Sequence, residues 1–412
     1  MTGGTAVSQE PPTSVRAAGA DAAGAEPAWR IRVQELAGIL DAEAVRAEEL
    51  RELTPAVLDA AAGSGLFSMV VPQRWGGEGA GLAELIDTTR ILATGCPASA
   101  WTLSFLVMHN WLLTRFPEEL QQEVLGVAPG YGLMPAPLAP TGRLRSTTGP
   151  DGEPGWEVTG RWEWATGIRH ADWVMVTGLE DRTDAIVARF AVLPISDVVV
   201  DDVWFTSGMR ATGSDDVRVE GAFVPEHRTL LAESLLESGG PIGGDGLAHL
   251  PLMAVLALLA AAPAVGAAER AVSEYERRLR SRVLAYSLGD KAAEQPAAQV
   301  RLGTALADVR ATRAVLDSAV GRLEGILTSD DPIADRIAVR LAAADAVRRS
   351  VAVIGDVCTG AGASVYRSDA AMQRLQRDVE VLKGHVVFDW DRTTELVGRV
   401  ALGLPLRPMD RI

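Results

Sequence analysis

Cysteine and clustered positive charge are both scarce in this chain. Its 412 residues include two cysteines, Cys96 and Cys358, and neither belongs to a C-x-x-C pair or lies beside a cluster of histidines. A disulfide framework and a metal site are therefore not expected, whereas a reducing, cytoplasmic location is. The net charge is −15, and basic runs are limited to short patches such as Arg277-Arg278-Leu279-Arg280. Because nucleic acids are bound by a concentrated positive face, we do not expect such a partner.

The glycine spacing G-x-G-x-x-G, typical of Rossmann dinucleotide sites, is also missing from the chain. Gly76-Gly77-Glu78-Gly79 is rich in glycine but does not have that spacing. The sequence therefore does not predict a nicotinamide-binding site.

One long apolar run, Leu250 to Ala268, approaches the length that spans a bilayer. Pro251, Pro263 and Gly266 interrupt it, and its composition is also typical of a helix buried on all sides of a bundle. We predict the buried helix and no membrane association. Residues 1–30 are rich in Ala, Gly, Pro, Ser and Thr and predict a disordered tail without a signal peptide.

Hydrophobic periodicity divides the rest of the chain into three segments, as its length leads us to expect. Residues 31–130 have helical spacing, with Thr54-Pro55 as an N-cap followed by proline at the first helical position. Residues 131–235 alternate polar and apolar side chains, which predicts a small, mostly antiparallel β domain with strands around 156–158, 173–177, 188–193 and 217–219. Residues 236–412 return to helical spacing after a Gly/Ser-rich link, and predict a helix bundle with long segments at 272–288, 296–327 and 332–357. The fold class is α+β, mostly α.

Tryptophan is concentrated in the β segment, where Trp156, Trp162, Trp164 and Trp173 fall within eighteen residues. Aromatic side chains on a strand commonly form core. The alternation around them also allows a flat aromatic wall, which would suit a planar ligand.

Two motifs of the β segment resemble those of the acyl-CoA dehydrogenase superfamily. Trp164-Ala165-Thr166-Gly167 resembles its flavin-facing W-x-T/S-x-G segment, and Gly208 to Ser214, followed by Val224-Pro225, resembles its G-x-R-x-T/S-G-S … V-P signature. The resemblance implies that Trp164 lies against the isoalloxazine ring, that the Thr166 hydroxyl reaches the N5/O4 edge, and that Gly167 and Ser214 let the chain pass close to the flavin. It covers residues 31–404 and implies an N-terminal helical domain, a middle antiparallel β domain and a C-terminal four-helix bundle.

The C-terminal segment indicates a branch of this superfamily. Gly360-Ala361-Gly362 followed by Arg377-Asp378 resembles the G-G-x-G … R-D pair, but the Y-E-G-T glutamate, which acts as the base in common acyl-CoA dehydrogenases, is absent. His385 stands almost at its position. This arrangement, with Asp389 four residues on, is similar to that of flavin-dependent monooxygenases built on the same fold. An imidazole titrates near neutral pH and can orient or deprotonate a phenol or an amine.

The resemblance therefore implies reduced flavin, FMNH2 or FADH2, with O2 as co-substrate and a C4a-hydroperoxyflavin as the oxygen donor. It implies catalytic roles for His385 and Thr166, with Asp389 in the substrate pocket. Without a nicotinamide motif, the chain would depend on a separate NAD(P)H:flavin reductase. A homotetramer follows by analogy.

Other candidates are open to two interpretations. Trp101, Phe105, Met108 and Trp111 fall roughly on one face of a predicted helix, which is either ordinary core or a substrate wall that His109 could also reach. Arg282 is followed by Tyr286-Ser287-Leu288-Gly289, and this segment resembles the flavin-phosphate region R-x-x-F-G of the superfamily. Arg282 could equally be an exposed charge on a helix. His170, which follows the W-x-T-x-G segment, could belong to the site or could equally stabilise a turn.

The predicted activity is hydroxylation of an aromatic or polyketide-type small molecule, with a role in natural-product biosynthesis. Three alternatives remain: an N-oxygenase of an amino sugar, an acyl-CoA dehydrogenase with Glu380 or Asp389 as its base, and a flavin-binding protein without catalysis. The sequence does not identify the substrate.

Overall fold

A computed structural model describes residues 26–182, 185–236, 247–284, 288–407 and Asp410. Residues 1–25 of the predicted tail, the predicted link at 238–246, and Tyr286 and Ser287 lie outside the described residues.

Five helices form the N-terminal segment: α1 (Ala28–Leu50), α2 (Pro55–Gly63), α3 (Leu82–Ala93), α4 (Pro97–Leu113) and α5 (Glu118–Val124). Helix α1 begins at Ala28, so residues 28–30, which we assigned to the tail, are helical. The predicted cap of α2 is confirmed, because the Thr54 side chain accepts a hydrogen bond from the backbone N–H of Val57 and Pro55 follows at the first helical position. Every residue of α4 is buried, so this helix lies inside the molecule.

The middle segment is a seven-stranded sheet of β1 (Gly142–Thr148), β2 (Pro154–Ala165), β3 (Trp173–Glu180), β4 (Ala188–Pro194), β5 (Val199–Asp201), β6 (Asp215–Pro225) and β7 (Thr229–Leu231). The strand order is β5-β6-β2-β1-β3-β4-β7. All four predicted strand regions fall within these strands. The β1/β3 pair is parallel and the other pairings are antiparallel, so the sheet is mixed. It has its own hydrophobic core, separate from that of the helices.

The four tryptophans of this segment do not form one wall, one of the two arrangements that the sequence allowed. Trp162 is fully buried and donates through Nε1 to the carbonyl of Thr177 at 2.6 Å. Trp156 and Trp173 are half-buried, each beneath an arginine side chain. Trp164 is 65% exposed. Alternation places residues two apart on the same face, but a bulge between Trp162 and Ala165 breaks that register.

The C-terminal segment contains α6 (Ala232–Leu236), α7 (Leu252–Ser281), α8 (Pro296–Glu324), α9 (Pro332–Ala361), α10 (Ala371–Leu382) and α11 (Trp390–Ala401). Helix α9 packs against α7, α8 and α10, which gives the predicted four-helix bundle, and α11 adds a fifth helix against α9.

Helix α7 continues through the apolar run, so the separate helix predicted at 272–288 is the second half of α7 and ends at Ser281. By length and composition α7 is apolar enough to cross a membrane, but 89% of its most apolar window is buried inside the protein. Gly266 does not interrupt it. A Cβ there would lie 2.1 Å from the carbonyl oxygen of Arg90, so glycine permits the close packing of α7 on α3.

Candidate active site

A chain of three hydroxyl groups lies where β2 ends and β6 begins. Thr166 Oγ1 is 3.0 Å from Ser214 Oγ, and Ser214 Oγ is 2.8 Å from Thr212 Oγ1. Ser214 and Thr212 are buried, whereas Thr166, at the outer end of this row of hydroxyl groups, is half-buried. Thr166 therefore has a hydroxyl that its neighbours orient and that still has room for another polar partner.

Trp164 stands beside this chain in an unusual backbone conformation. Its φ of 65° is positive, which is uncommon for a residue other than glycine. The backbone N–H of Trp164 donates to Asp216 Oδ1 at 3.3 Å, and the side chain projects outward, 65% exposed. An indole held at the surface in this way offers a planar face to a ligand.

Gly167, just after β2, packs directly against α4. Its φ is +76°, and a Cβ would lie 2.9 Å from Thr102 Cγ2. Its N–H donates to the carbonyl of Thr212 at 2.9 Å. Glycine is thus required by close packing and by the left-handed backbone.

Three aromatic side chains form a column along α4 toward the end of β2. The ring centroids of Trp101 and Phe105 are 4.6 Å apart, and those of Phe105 and His109 are 5.9 Å apart. This column follows from the spacing of four residues, which places side chains above one another on a helix. Trp101 Nε1 donates to Thr166 Oγ1 at 3.4 Å, so the column reaches the hydroxyl chain. Met108 and Trp111, predicted on the same face, are buried in the helical core outside this column.

His385 closes the end of the aromatic column. Its ring lies 5.5 Å from that of Trp101 in an edge-to-face arrangement and 6.0 Å from that of Phe388. Trp101 therefore contacts both residues to which we assigned catalytic roles, one from the β segment and one from the C-terminal segment. We call Trp101, Phe105, His109 and His385 the helical side of the site, and Trp164, Thr166 and Ser214 the β side.

Both imidazoles of the helical side are neutral at physiological pH. Burial lowers the pKa of His385 to about 4, and burial likewise lowers the pKa of His109 to about 4, against a hydrogen bond to Met134 that raises it. The expectation that His385 titrates near neutral pH was therefore wrong, because its ring is largely withdrawn from water.

Hydrogen bonds give the two neutral imidazoles opposite tautomers. His109 Nδ1 lies 2.6 Å from the carbonyl oxygen of Met134, which only accepts, so Nδ1 carries the proton and Nε2 is an acceptor. In His385, Nδ1 accepts from the backbone N–H of Val387 at 3.3 Å, so Nε2 carries the proton. One ring offers an acceptor and the other a donor.

Two further candidates lie elsewhere. The carboxylate of Asp389 is exposed and accepts from the backbone N–H of Arg392 at 3.0 Å, so it caps α11 and does not join the residues around Trp101. His170 follows β2 near Arg169 and Glu52. Its Nε2 is buried without a hydrogen-bond partner among the described residues.

Arg282 belongs to a cationic cluster at the end of α9, without a contact to Trp101, Thr166 or His385 in the described parts of the chain. Arg282 Nη1 and Arg278 Nε both donate to the carbonyl oxygen of Ala361, each at 2.7 Å. A Cβ on Gly360 would lie 2.6 Å from Arg301 Nη1 and 2.8 Å from the hydroxyl of Tyr275.

This cluster is short of negative charge. The carboxylates of the described residues form no ion pair with Arg278, Arg282 or Arg301, and the buried hydroxyl of Tyr275 has no partner among the same residues. The pKa of Arg278 is lowered by burial and then by the positive charge of Arg282 and Arg277. An anion would relieve that repulsion.

Sequence reasoning missed Thr212 and Arg278. Thr212 was visible in the G-x-R-x-T-G-S motif, but only the fold shows that its hydroxyl continues the chain from Thr166. Arg278 was noted only as part of a short basic patch, and the sequence alone does not reveal that α7 turns it toward Ala361.

Comparison with known proteins identifies related chains. Residues 258–390 match the family described as acyl-CoA dehydrogenase, C-terminal domain. A pigment production hydroxylase of Rhodococcus sp. is 31% identical over 379 residues, which cover 91% of this chain and 96% of the relative. The oxygenase subunit HsaA of a flavin-dependent monooxygenase from Mycobacterium tuberculosis is 31% identical over 366 residues, covering 87% and 91%.

A solved structure shares the fold over nearly the same range. The structure of XiaF from Streptomyces sp., in complex with FADH2 and glycerol, superposes with a TM-score of 0.85 at 25% identity, covering 92% of this chain and 96% of the other. The similarity spans the helical segments and the sheet together.

Proposed function

Because the chain belongs to the flavin-dependent monooxygenases built on the acyl-CoA dehydrogenase fold, we propose that it hydroxylates a phenolic aromatic or polyketide-type molecule. The observation that supports this most is the meeting of Thr166, Trp101 and His385 at one point. The name of the pigment production hydroxylase supports a role in natural-product biosynthesis.

The described residues fit a reduced flavin. The exposed indole of Trp164 offers a stacking surface for the flavin ring. The Thr166 hydroxyl offers a hydrogen bond beside that surface, and Gly167, which has no side chain, would let the backbone lie close to the flavin. When bound, reduced flavin supplies the two electrons that reduce one atom of O2 to water while the other atom enters the substrate.

The helical side would hold the substrate. His109 Nε2, an acceptor, would take a hydrogen bond from a phenolic hydroxyl, and His385 Nε2, a donor, would fix the ring from the other end. Phe105 packs against the His109 ring and Trp101 against the His385 ring, and both would contact an aromatic substrate ring. Our sequence interpretation gave His385 either the orienting or the deprotonating role. The tautomers favour His385 for orientation and His109 for accepting the proton.

The burial of the helical side also serves the chemistry. Trp101, Phe105 and His109 expose 7%, 8% and 3% of their surface. Exclusion of water from this side would favour transfer of oxygen to the substrate over release of hydrogen peroxide.

The cationic cluster around Ala361 would bind the phosphates of a flavin nucleotide. Three arginines that pair with no carboxylate of the described residues, beside a buried hydroxyl without a partner in the same part of the chain, form a suitable anion site. Since this cluster does not contact the other site residues, we propose that it serves the flavin of a second subunit in a homotetramer. Exposed apolar side chains on and after the C-terminal helices, including Val300, Leu327 and Leu402, support such an assembly.

A separate flavin reductase completes the system, because oxygenase components receive flavin that is already reduced. The oxygenase subunit name of the M. tuberculosis relative agrees with this division of labour. We place the protein in the cytoplasm, where both buried, unpaired cysteines would remain reduced.

The activity is tested by mixing the protein with FMNH2 or FADH2, O2 and a panel of phenols, and by measuring products one oxygen atom heavier together with hydrogen peroxide. We expect a hydroxylated phenol with at least one member of the panel. Anaerobic bleaching of oxidised flavin by an acyl-CoA would instead identify a dehydrogenase. Oxygenation of an amino sugar nucleotide, with every phenol untouched, would favour the N-oxygenase.

A further inference from the structure

One buried carboxylate has no role in the chemistry described so far. Asp378, on α10, is 2% exposed. Its Oδ1 accepts a hydrogen bond of 2.6 Å from the backbone N–H of Met209. Its Oδ2 is equally shielded from solvent and has no partner among the described residues. A buried acceptor left half-satisfied is unfavourable, so its presence calls for a reason.

The residue that Asp378 holds belongs to the loop that leads into the hydroxyl chain. Met209 has a φ of 52°, and Thr212 N–H donates to its carbonyl at 3.2 Å. The indole N–H of Trp204 donates to the same carbonyl at 3.0 Å. The hydroxyl chain then follows within five residues, at Thr212 and Ser214.

Close packing on α10 reinforces the hydrogen bond. A Cβ on Gly208 would lie 2.1 Å from the carbonyl oxygen of Arg377, so the loop backbone lies directly on the helix. Helix α10 ends at Leu382, and His385 N–H donates back to its carbonyl at 3.0 Å. One short helix thus contacts the loop of the β side and leads into the imidazole of the helical side.

We propose that Asp378 is a positioning residue, which fixes the backbone of Met209 and so keeps the hydroxyl chain of Thr212, Ser214 and Thr166 in register with His385. The proposal rests on the proposed function, in which that chain faces the flavin. Asp378 itself does not contact the reacting atoms.

Several charged groups face this carboxylate. Burial raises the pKa of Asp378 to about 7, and the hydrogen bond from Met209 opposes that shift. Glu48 on α1 raises it further, whereas Arg374 and Arg377 on α10 lower it. The pKa of the Cys96 thiol, at the N-cap of α4, is raised first by burial and then by the charge of Asp378. The carboxylate therefore changes charge near neutral pH, and the bond to Met209 is stronger when it is ionised.

The test uses Asp378→Asn and Asp378→Ala, with Asp369→Asn as the matched control. Asp369 is an exposed carboxylate just before α10 that pairs with Arg367. Asparagine keeps an acceptor for Met209 but loses the charge, and alanine loses both. Two measurements are made: hydrogen exchange in peptides of residues 203–214 without flavin, and the rate of hydrogen peroxide release after FMNH2-loaded protein meets O2.

We expect exchange at Met209 to accelerate in the order control, asparagine, alanine, and peroxide release to rise about tenfold in asparagine and more in alanine. The peroxide rate of the unchanged protein should vary with pH around 7, and that variation should disappear in Asp378→Asn. The asparagine variant, which has nearly the same shape, tests the idea if the alanine variant does not fold.

Unchanged exchange at Met209 in both variants would overturn the proposal, and so would faster exchange with unchanged peroxide release. Faster exchange in a protein that hydroxylates no phenol would leave the structural role intact and count against the proposed function instead.

Discussion

Trp101, Phe105 and His109, on the helical side, expose less than a tenth of their surface, whereas Trp164 on the β side exposes 65%. The helical side offers rings and two neutral imidazoles with pKa values near 4. The β side offers hydroxyl groups and an open indole. Under the proposed function, this difference would keep water from the side where the substrate reacts and leave the side where the cofactor binds accessible.

The largest expected effect concerns the burial of the helical side. The pKa of His109 lies at about 4 in the folded chain against 6.5 for an ordinary histidine. The unfolded chain therefore binds the proton more readily, and the stability that His109 contributes is present above pH 6.5 and lost as the pH falls toward 4. As the pH falls from 6.5 to 4, the free energy of unfolding of the unchanged protein should therefore decrease by about 3 kcal/mol more than that of His109→Phe.

Urea unfolding of the flavin-free protein at several pH values measures this loss. Phe105→Leu, in the same column, is the control, because it removes packing without a titrating group. Equal pH dependence in His109→Phe and the unchanged protein would mean that water reaches the helical side.

The next effect tests the imidazole that joins the two sides. His385→Ala removes the donor beside Trp101 while the β side stays intact. Hydroxylated product should fall roughly a hundredfold, since misplacing a substrate by about 1 Å can cost that much. Flavin oxidation should continue, with hydrogen peroxide in place of product.

His227→Ala is the matched control, because His227 pairs with Glu123 away from the site. If His385→Ala still converted each oxidised flavin into one hydroxylated product, His385 would have no part in the mechanism.

On the β side, Thr166→Val keeps the shape of the side chain and removes the hydroxyl between Trp101 and Ser214. Product per flavin oxidised should fall about tenfold, as expected when one hydrogen bond worth about 1.4 kcal/mol is lost. Quantifying product and peroxide together gives the ratio.

Thr159→Val, an exposed threonine on the same strand, should leave that ratio unchanged. A normal ratio in Thr166→Val would place the hydroxyl chain outside the reaction.

The smallest effect on stability is expected for Trp164→Ala, within about 0.5 kcal/mol, because the indole is largely exposed. Binding of FMNH2, measured by anaerobic titration, should nevertheless weaken about tenfold as a stacking surface is lost. Unchanged affinity would show that the exposed indole does not contact the flavin.

Helices, strands and one part of the site were predictable because they depend on local pattern. The cap at Thr54, the alternation in β3 and β4, and the four-residue spacing of Trp101, Phe105 and His109 all follow from neighbouring residues. The match of Trp164 to Thr166 with a known motif indicated the flavin side. The tryptophans do not form a wall because a bulge after Trp162 turns Trp164 to the other face of the sheet, and alternation in the sequence does not reveal bulges.

Resemblance to a known superfamily implied that His385 stands almost at the position of its glutamate. The sequence by itself determined the order of helical and β segments and the absence of a Rossmann glycine motif. These are properties of local spacing and composition. Only the tertiary structure decided that Asp389 caps a helix, that His109 and His385 are neutral with opposite tautomers, and that Asp378 holds Met209. Burial makes the imidazoles neutral, and the bonds of His109 and Asp378 join residues distant in the chain, which no pattern along the sequence specifies. The partners of Asp389 and His385 are two or three residues away, and the fold decides that these local bonds form.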